Sequence, residues 1–180
     1  DASFFPGYLY GLVLANNGSD AANDLNIATG VATDDTNAFI MKLSSALIKQ
    51  VDAAWVVGTN QGCGDTGAIG DGTFHIYLIR RSDTGVSDIL CSASLTPTMP
   101  ANYDQKRRIG SLLRASSTNR PFTQINDQFL YVTPIASYNT TPVAASTAIT
   151  MDIPNGVVFE ALFRAALNTA SGASNAVVFF

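Results

Sequence analysis

The sequence predicts an all-β fold, an antiparallel β-sandwich of jelly-roll type with long loops. Short runs alternate apolar and polar residues at period two, as in Phe74-His75-Ile76-Tyr77-Leu78-Ile79, the spacing of a half-buried strand. Turn chemistry separates the runs at short intervals, at Asn16-Asn17-Gly18, Ser82-Asp83-Thr84-Gly85 and Asn155-Gly156. No segment sustains a long helical spacing, and short strands between turn clusters are the signature of a sandwich or jelly roll.

Taken in order, Tyr8 to Leu14 is a β-rich run closed by the turn cluster Asn16 to Asp20. Asp24 to Thr33 alternates, with a bulge or bend expected at Gly30 that would let one strand pass between sheets. Thr36 to Val57 reads both ways. Ala38, Met41, Leu43, Ala46, Leu47 and Val51 fit a helix capped by Asp35 or Thr36. Phe39 to Leu43 and Lys49 to Val51 also fit strands, which we favour, with a helical turn near Leu47 or Asp52. Gly58 to Gly72 holds six glycines and reads as a long surface loop; it lacks the Gly-Lys-Ser/Thr ending of a phosphate loop.

Thr73 to Arg80 and Val86 to Ala93 read as a hairpin. Pro97 and Pro100 hold Leu95 to Ala101 extended. Ile109 to Ala115 is a further strand, and Phe122 to Val132 another, broken at Asn126-Asp127. Residues 134–145 read as a linker or crossover, and Ser146 to Asp152 and Val157 to Leu167 as strands joined by the Asn155-Gly156 turn. The expectation is one domain over residues 1–180 with residues 1–7 as an N-terminal arm. The start at Asp1 and the apolar end at Phe180 suggest a fragment of a longer chain.

Charged residues make up 13% of the chain, about half the usual share, against 47% apolar. A net charge of −4 disfavours nucleic-acid binding. No apolar run has the length of a membrane span, so no membrane insertion is expected. Cys63 in a glycine loop and Cys91 at an apolar strand position suggest two free thiols, pairing being open only if the fold brings them within bridging distance.

Candidate chemistry is sparse. His75, the single histidine, lies inside a strand with no nucleophile signature near it. Asp34, Asp35, Asp65, Asp71, Asp83 and Asp88 could supply paired carboxylates, but all except Asp88 lie in turn contexts, and Glu160 is the sole glutamate. Asn16, Asp20 and Asp24 could offer calcium oxygens, but a capped turn is the simpler reading. No catalytic residue, metal or cofactor is therefore expected. Trp55 sits in a core-like context, whereas Tyr103 and Tyr138, in polar loops, are the candidate ligand-stacking residues. Lys106, Arg107 and Arg108 fit a charged strand edge or a subunit contact.

The blocks DLNIATGVATDDTN, VDAAWVVGTNQGCGDTG, FHIYLIRRSDTGVSDILCSAS and, most specifically, PTMPANYDQKRRIGSLLR resemble structural proteins of tailed bacteriophages and prophages. Those proteins form distal regions of tail fibres, spikes or head fibres, and the resemblance covers about residues 8–132. It implies a non-enzymatic virion component, a homotrimer that docks to a neighbouring virion protein or to a host-surface glycan. A depolymerase-like spike domain and a secreted lectin or adhesin module are the alternatives.

Overall fold

The structure, a computed structural model, describes residues 5–133, 151–158, 160, 164–167 and 176–179. It is all-β, with no helix among those residues. The first β-rich run splits into β1 (Leu9–Gly11) and β2 (Leu14–Asn16). Leu12 between them takes a left-handed φ of 55° and is fully buried. β3 (Asp24–Ile27) and β4 (Gly30–Thr33) follow, and the bend at Gly30 does carry the chain from one sheet to another.

The ambiguous segment opens with a turn over residues 36–38 and then forms two strands, β5 (Ile40–Leu43) and β6 (Leu47–Ala54), and the expected helical turn near Leu47 or Asp52 is absent. Cross-strand pairing of Leu47–Gln50 with β3, and of Lys49, Gln50 and Ala54 with β7, satisfies backbone that a helical turn would have had to satisfy alone. The glycine loop is likewise not all loop. It contains β7 (Gln61–Gly64), followed by β8 (Gly72–Arg80), β9 (Ser87–Ser92) and β10 (Gln105–Ala115). After these come β11 (Thr118–Asn119), β12 (Phe122–Ile125) and β13 (Gln128–Tyr131). Strands β14 (Arg164–Leu167) and β15 (Ala176–Phe179) pair as an antiparallel two-stranded sheet.

An eight-stranded sheet runs β11-β10-β8-β9-β7-β6-β3-β2, and a three-stranded sheet runs β1-β4-β5. The sheets are not wholly antiparallel as expected, because β7 pairs in parallel with both β6 and β9. Gly62 is required there. A Cβ on it would lie 2.0 Å from the Ala54 carbonyl oxygen, so a side-chain-free residue lets β7 slot beside β6. This is why a glycine-rich stretch that reads as loop is a strand.

One face of the large sheet packs Leu25, Ile27, Ile76, Leu78 and Ile89 against Ala32, Met41 and Leu43 of the small sheet. Burying each large aliphatic side chain contributes roughly 1.5–3 kcal/mol. Tyr77, Ile79 and Leu90 point the other way and are covered by Tyr103 and Met99 from the proline-braced arm. The large sheet also curls until its ends approach, so the sandwich is nearly a barrel. Gly110 of β10 lies against Leu14 of β2, where a Cβ would come 2.7 Å from Leu14 Cδ1. Arg114, 3% exposed, fastens the same seam by donating to the carbonyls of Ala22 (3.0 Å) and Ser117 (2.9 Å) and to Asn23 Oδ1 (3.1 Å).

Cys63 and Cys91 form a disulfide with Cα atoms 5.0 Å apart, which overturns the expectation of free thiols. The cause is β7. By entering the sheet beside β9, with Gly64 opposite Cys91, it brings Cys63 alongside its partner.

Candidate functional site: an aromatic-walled hollow beside a buried ion pair

Beyond the end of β6 the chain turns back along β7. The Trp55 amide donates to the Gly64 carbonyl (2.9 Å) and the Val56 amide to the Gly62 carbonyl (3.1 Å). The Trp55 ring is fixed on two sides. Its Nε1 donates to the Ile89 carbonyl (3.1 Å), and the Tyr103 ring meets it edge-on, centroids 5.2 Å apart at 77°. Behind it lies Lys49, fully buried, with Nζ 5.9 Å from the ring centroid.

Lys49 spends every proton. Nζ donates to the carbonyls of Val56 (2.8 Å) and Gly58 (3.0 Å) and pairs with Asp88 Oδ1 at 3.1 Å. Asp88 in turn accepts from the amides of Gly58 (2.7 Å) and Ile89 (2.6 Å). Burial pulls the Lys49 ammonium below its ordinary pKa, and the adjacent Asp88 carboxylate opposes that pull. A fully bonded buried pair of this kind fixes the Val56–Gly58 backbone and leaves no free proton for chemistry.

On the outer side of Trp55 is a hollow of about 190 Å³ lined by Ala54, Trp55, Gly64, Asp65, Thr98 and Met99, with Gly67 and Pro100 at its margin. Asp65 Oδ2 accepts from the Thr98 amide (3.0 Å), while the Asp65 amide donates to the Cys91 carbonyl (2.9 Å). The disulfide strands, the β6–β7 turn and the proline arm therefore all meet at this hollow. A second hollow, about 270 Å³, has Lys42, Ser44, Ser45 and Ser87 in its wall and no aromatic ring.

The residues singled out from sequence fall differently. Tyr103 is 7% exposed. It is the support behind Trp55 and not an open stacking face, because the arm that reads as a polar loop lies flat on the large sheet. Tyr138 lies outside the described residues, as do residues 134–145. Lys106, Arg107 and Arg108 stand on β10, whose outer edge pairs with β11 only at Arg114 and Ala115. Two of the three are tied within the chain, Lys106 to Asp35 (2.7 Å) and Arg107 to the Gly7 carbonyl (3.4 Å), while Arg108 is exposed.

His75 is buried with Nδ1 2.9 Å from Ser111 Oγ. Burial and then the Arg108 charge lower its pKa, which keeps the ring neutral. The aspartates are engaged as well. Asp34 accepts from the amides of Ala38 and Phe39 (2.9 Å each), Asp71 from those of Ser116 (2.9 Å) and Ser117 (2.7 Å), and Asp83 pairs with Arg81. Asn16 Oδ1 accepts from the Phe122 amide (3.1 Å) and Asp20 from the Asn23 amide of its own turn (3.1 Å), and the described residues hold no group of three or more His, Cys, Asp or Glu placed to bind a metal.

Sequence reasoning missed Lys49 and the open side of Trp55, and it named Asp65 only among the turn aspartates that could supply paired carboxylates. One signal was present. Lys49 occupies the same alternating register as Leu47 and Val51, which demands a buried partner for its charge, and Asp88 is the one of the six candidate aspartates that lies outside a turn context.

No family model, no curated protein and no solved structure matches this chain.

Proposed function

We propose that this chain is a non-enzymatic structural module of a phage particle, from a tail fibre, spike or head fibre, that assembles as a homotrimer and serves docking or host-surface attachment. One observation carries the reading, the outward face of the three-stranded sheet. Tyr10 stands opposite Val31, Val31 opposite Lys42, and Tyr8 lies two residues before Tyr10 on the same side. Tyr10 is 71% exposed, Tyr8 44% and Ile40 39%. A monomer rarely leaves such an aromatic face open, and rings of this kind are enriched where proteins meet.

Two further features favour it. The disulfide suits an oxidising, extracellular setting, and the low-charge, hydroxyl-rich surface suits a particle component. The aspartates that a depolymerase would need are occupied in turns and ion pairs, which disfavours the enzymatic alternative. Sedimentation of the purified chain tests the reading. A trimer that a Tyr8→Lys/Tyr10→Lys double variant dissociates is expected. A stable monomer that binds neither virion proteins nor host envelopes overturns it.

A further inference from the structure

We infer that the hollow in front of Trp55 is a binding site for one ring of a neutral saccharide, an inference that deepens the attachment reading and rests on it. Its wall has the parts such a ligand needs. Trp55 supplies a flat apolar surface for the C–H face of a sugar, and Met99 and Pro100 extend that surface. Asp65 holds the Thr98 amide with Oδ2, which leaves Oδ1 to accept from hydroxyls, and the exposed Thr98 side chain offers a second hydroxyl partner. The volume of about 190 Å³ equals roughly six water molecules, room for a single ring rather than for an extended chain.

The charges exclude an acidic ligand, because Asp65 in the wall repels an anionic sugar. The ring is also preorganised. Its bond to the Ile89 carbonyl and the Tyr103 edge hold it in place before any ligand arrives, so little side-chain freedom remains to be lost.

The chain contains one tryptophan, so its fluorescence reports on this site alone. Titration with glucose, galactose, mannose and N-acetylglucosamine, with glucuronate as the acidic control, is expected to give a saturable change for at least one neutral sugar and a weaker response for the control. Asp65→Asn keeps an acceptor for the Thr98 amide, so the fold is retained, as circular dichroism would check. It should weaken the neutral sugar about tenfold, the loss of one charged hydrogen-bond acceptor. No saturable response to any neutral sugar, or an Asp65→Asn protein that titrates unchanged, overturns the inference. If the sugars fail while trimeric chain still adheres to host envelopes, the hollow is refuted and attachment stands. A monomer that adheres to nothing but binds a sugar at Trp55 refutes attachment and keeps the hollow.

Discussion

Lys49 and Asp88 meet at 3.1 Å with side chains 0% and 1% exposed, whereas Arg81 and Asp83 meet at 2.6 Å with side chains 29% and 55% exposed. The closer pair is the one the fold can do without. In the hairpin turn between β8 and β9, water and salt compete for both charges, and the two side chains lose rotamer freedom to hold one geometry. In the interior nothing competes. Removing one partner there strands a charge together with the amides and carbonyls it was satisfying. Distance alone therefore ranks the two pairs wrongly, and burial with its attached hydrogen bonds ranks them correctly.

The comparison can be broken most sharply at Lys49. Lys49→Met is expected to destabilise the chain by about 3–5 kcal/mol, because Asp88 is left buried and unpaired. Urea unfolding would show it, and adding Asp88→Leu should recover part of the loss. Recovery stays incomplete because the Gly58 and Ile89 amides still lack their acceptor. Next in size is the disulfide beside the pair. Replacing Cys63 and Cys91 by Ala should cost roughly 3–4 kcal/mol for opening a loop of 28 residues, again read from urea midpoints.

A smaller effect comes from His75, the single histidine. Burial and then Arg108 depress its folded pKa, so the unfolded chain binds the proton more readily. Its contribution is present above the ordinary histidine pKa of about 6.5 and is lost as pH falls below that value toward the folded one. His75→Gln should flatten stability against pH in that window, measured by thermal unfolding across buffers. Smallest is Asp83→Asn. The Arg81 guanidinium holds the Asp83 carboxyl down at about 2, so whatever the pair adds is present above about 3.9 and fades as pH drops toward 2. At neutral pH and ordinary salt the variant should unfold at the same denaturant concentration as the parent. A measurable shift there, or a null result at Lys49, would invert the ranking.

Much of the architecture was legible because period-two alternation and turn residues act locally. The β8–β9 hairpin, the split at Asn126-Asp127 and the sheet-switching bend at Gly30 follow from residues that touch their sequence neighbours. What was hidden depends on residues far apart. β7 has almost no side chains of its own to announce a strand, and only its neighbours β6 and β9 make it one. The free-thiol expectation failed for that reason. Tyr103 was misplaced for a similar one. Local composition marked its segment as polar loop, but the packing of the arm on the large sheet covers its ring, while Trp55 packs against the same cluster as its core-like context suggests and lines the hollow with its outer side.

The position of β7 also constrains the order of assembly. The β8–β9 hairpin can close from local contacts, and β3 can meet β6 across a short stretch of chain. β7 can lie down on β6 early as well, because the pair is joined by a short turn and Lys49 meets Gln61 across little chain. Its contact with β9, made at the single position where Gly64 faces Cys91, is the non-local closure, so that step belongs late in folding. Oxidation of Cys63 with Cys91 then acts as a latch that is thrown only after the slot has been filled.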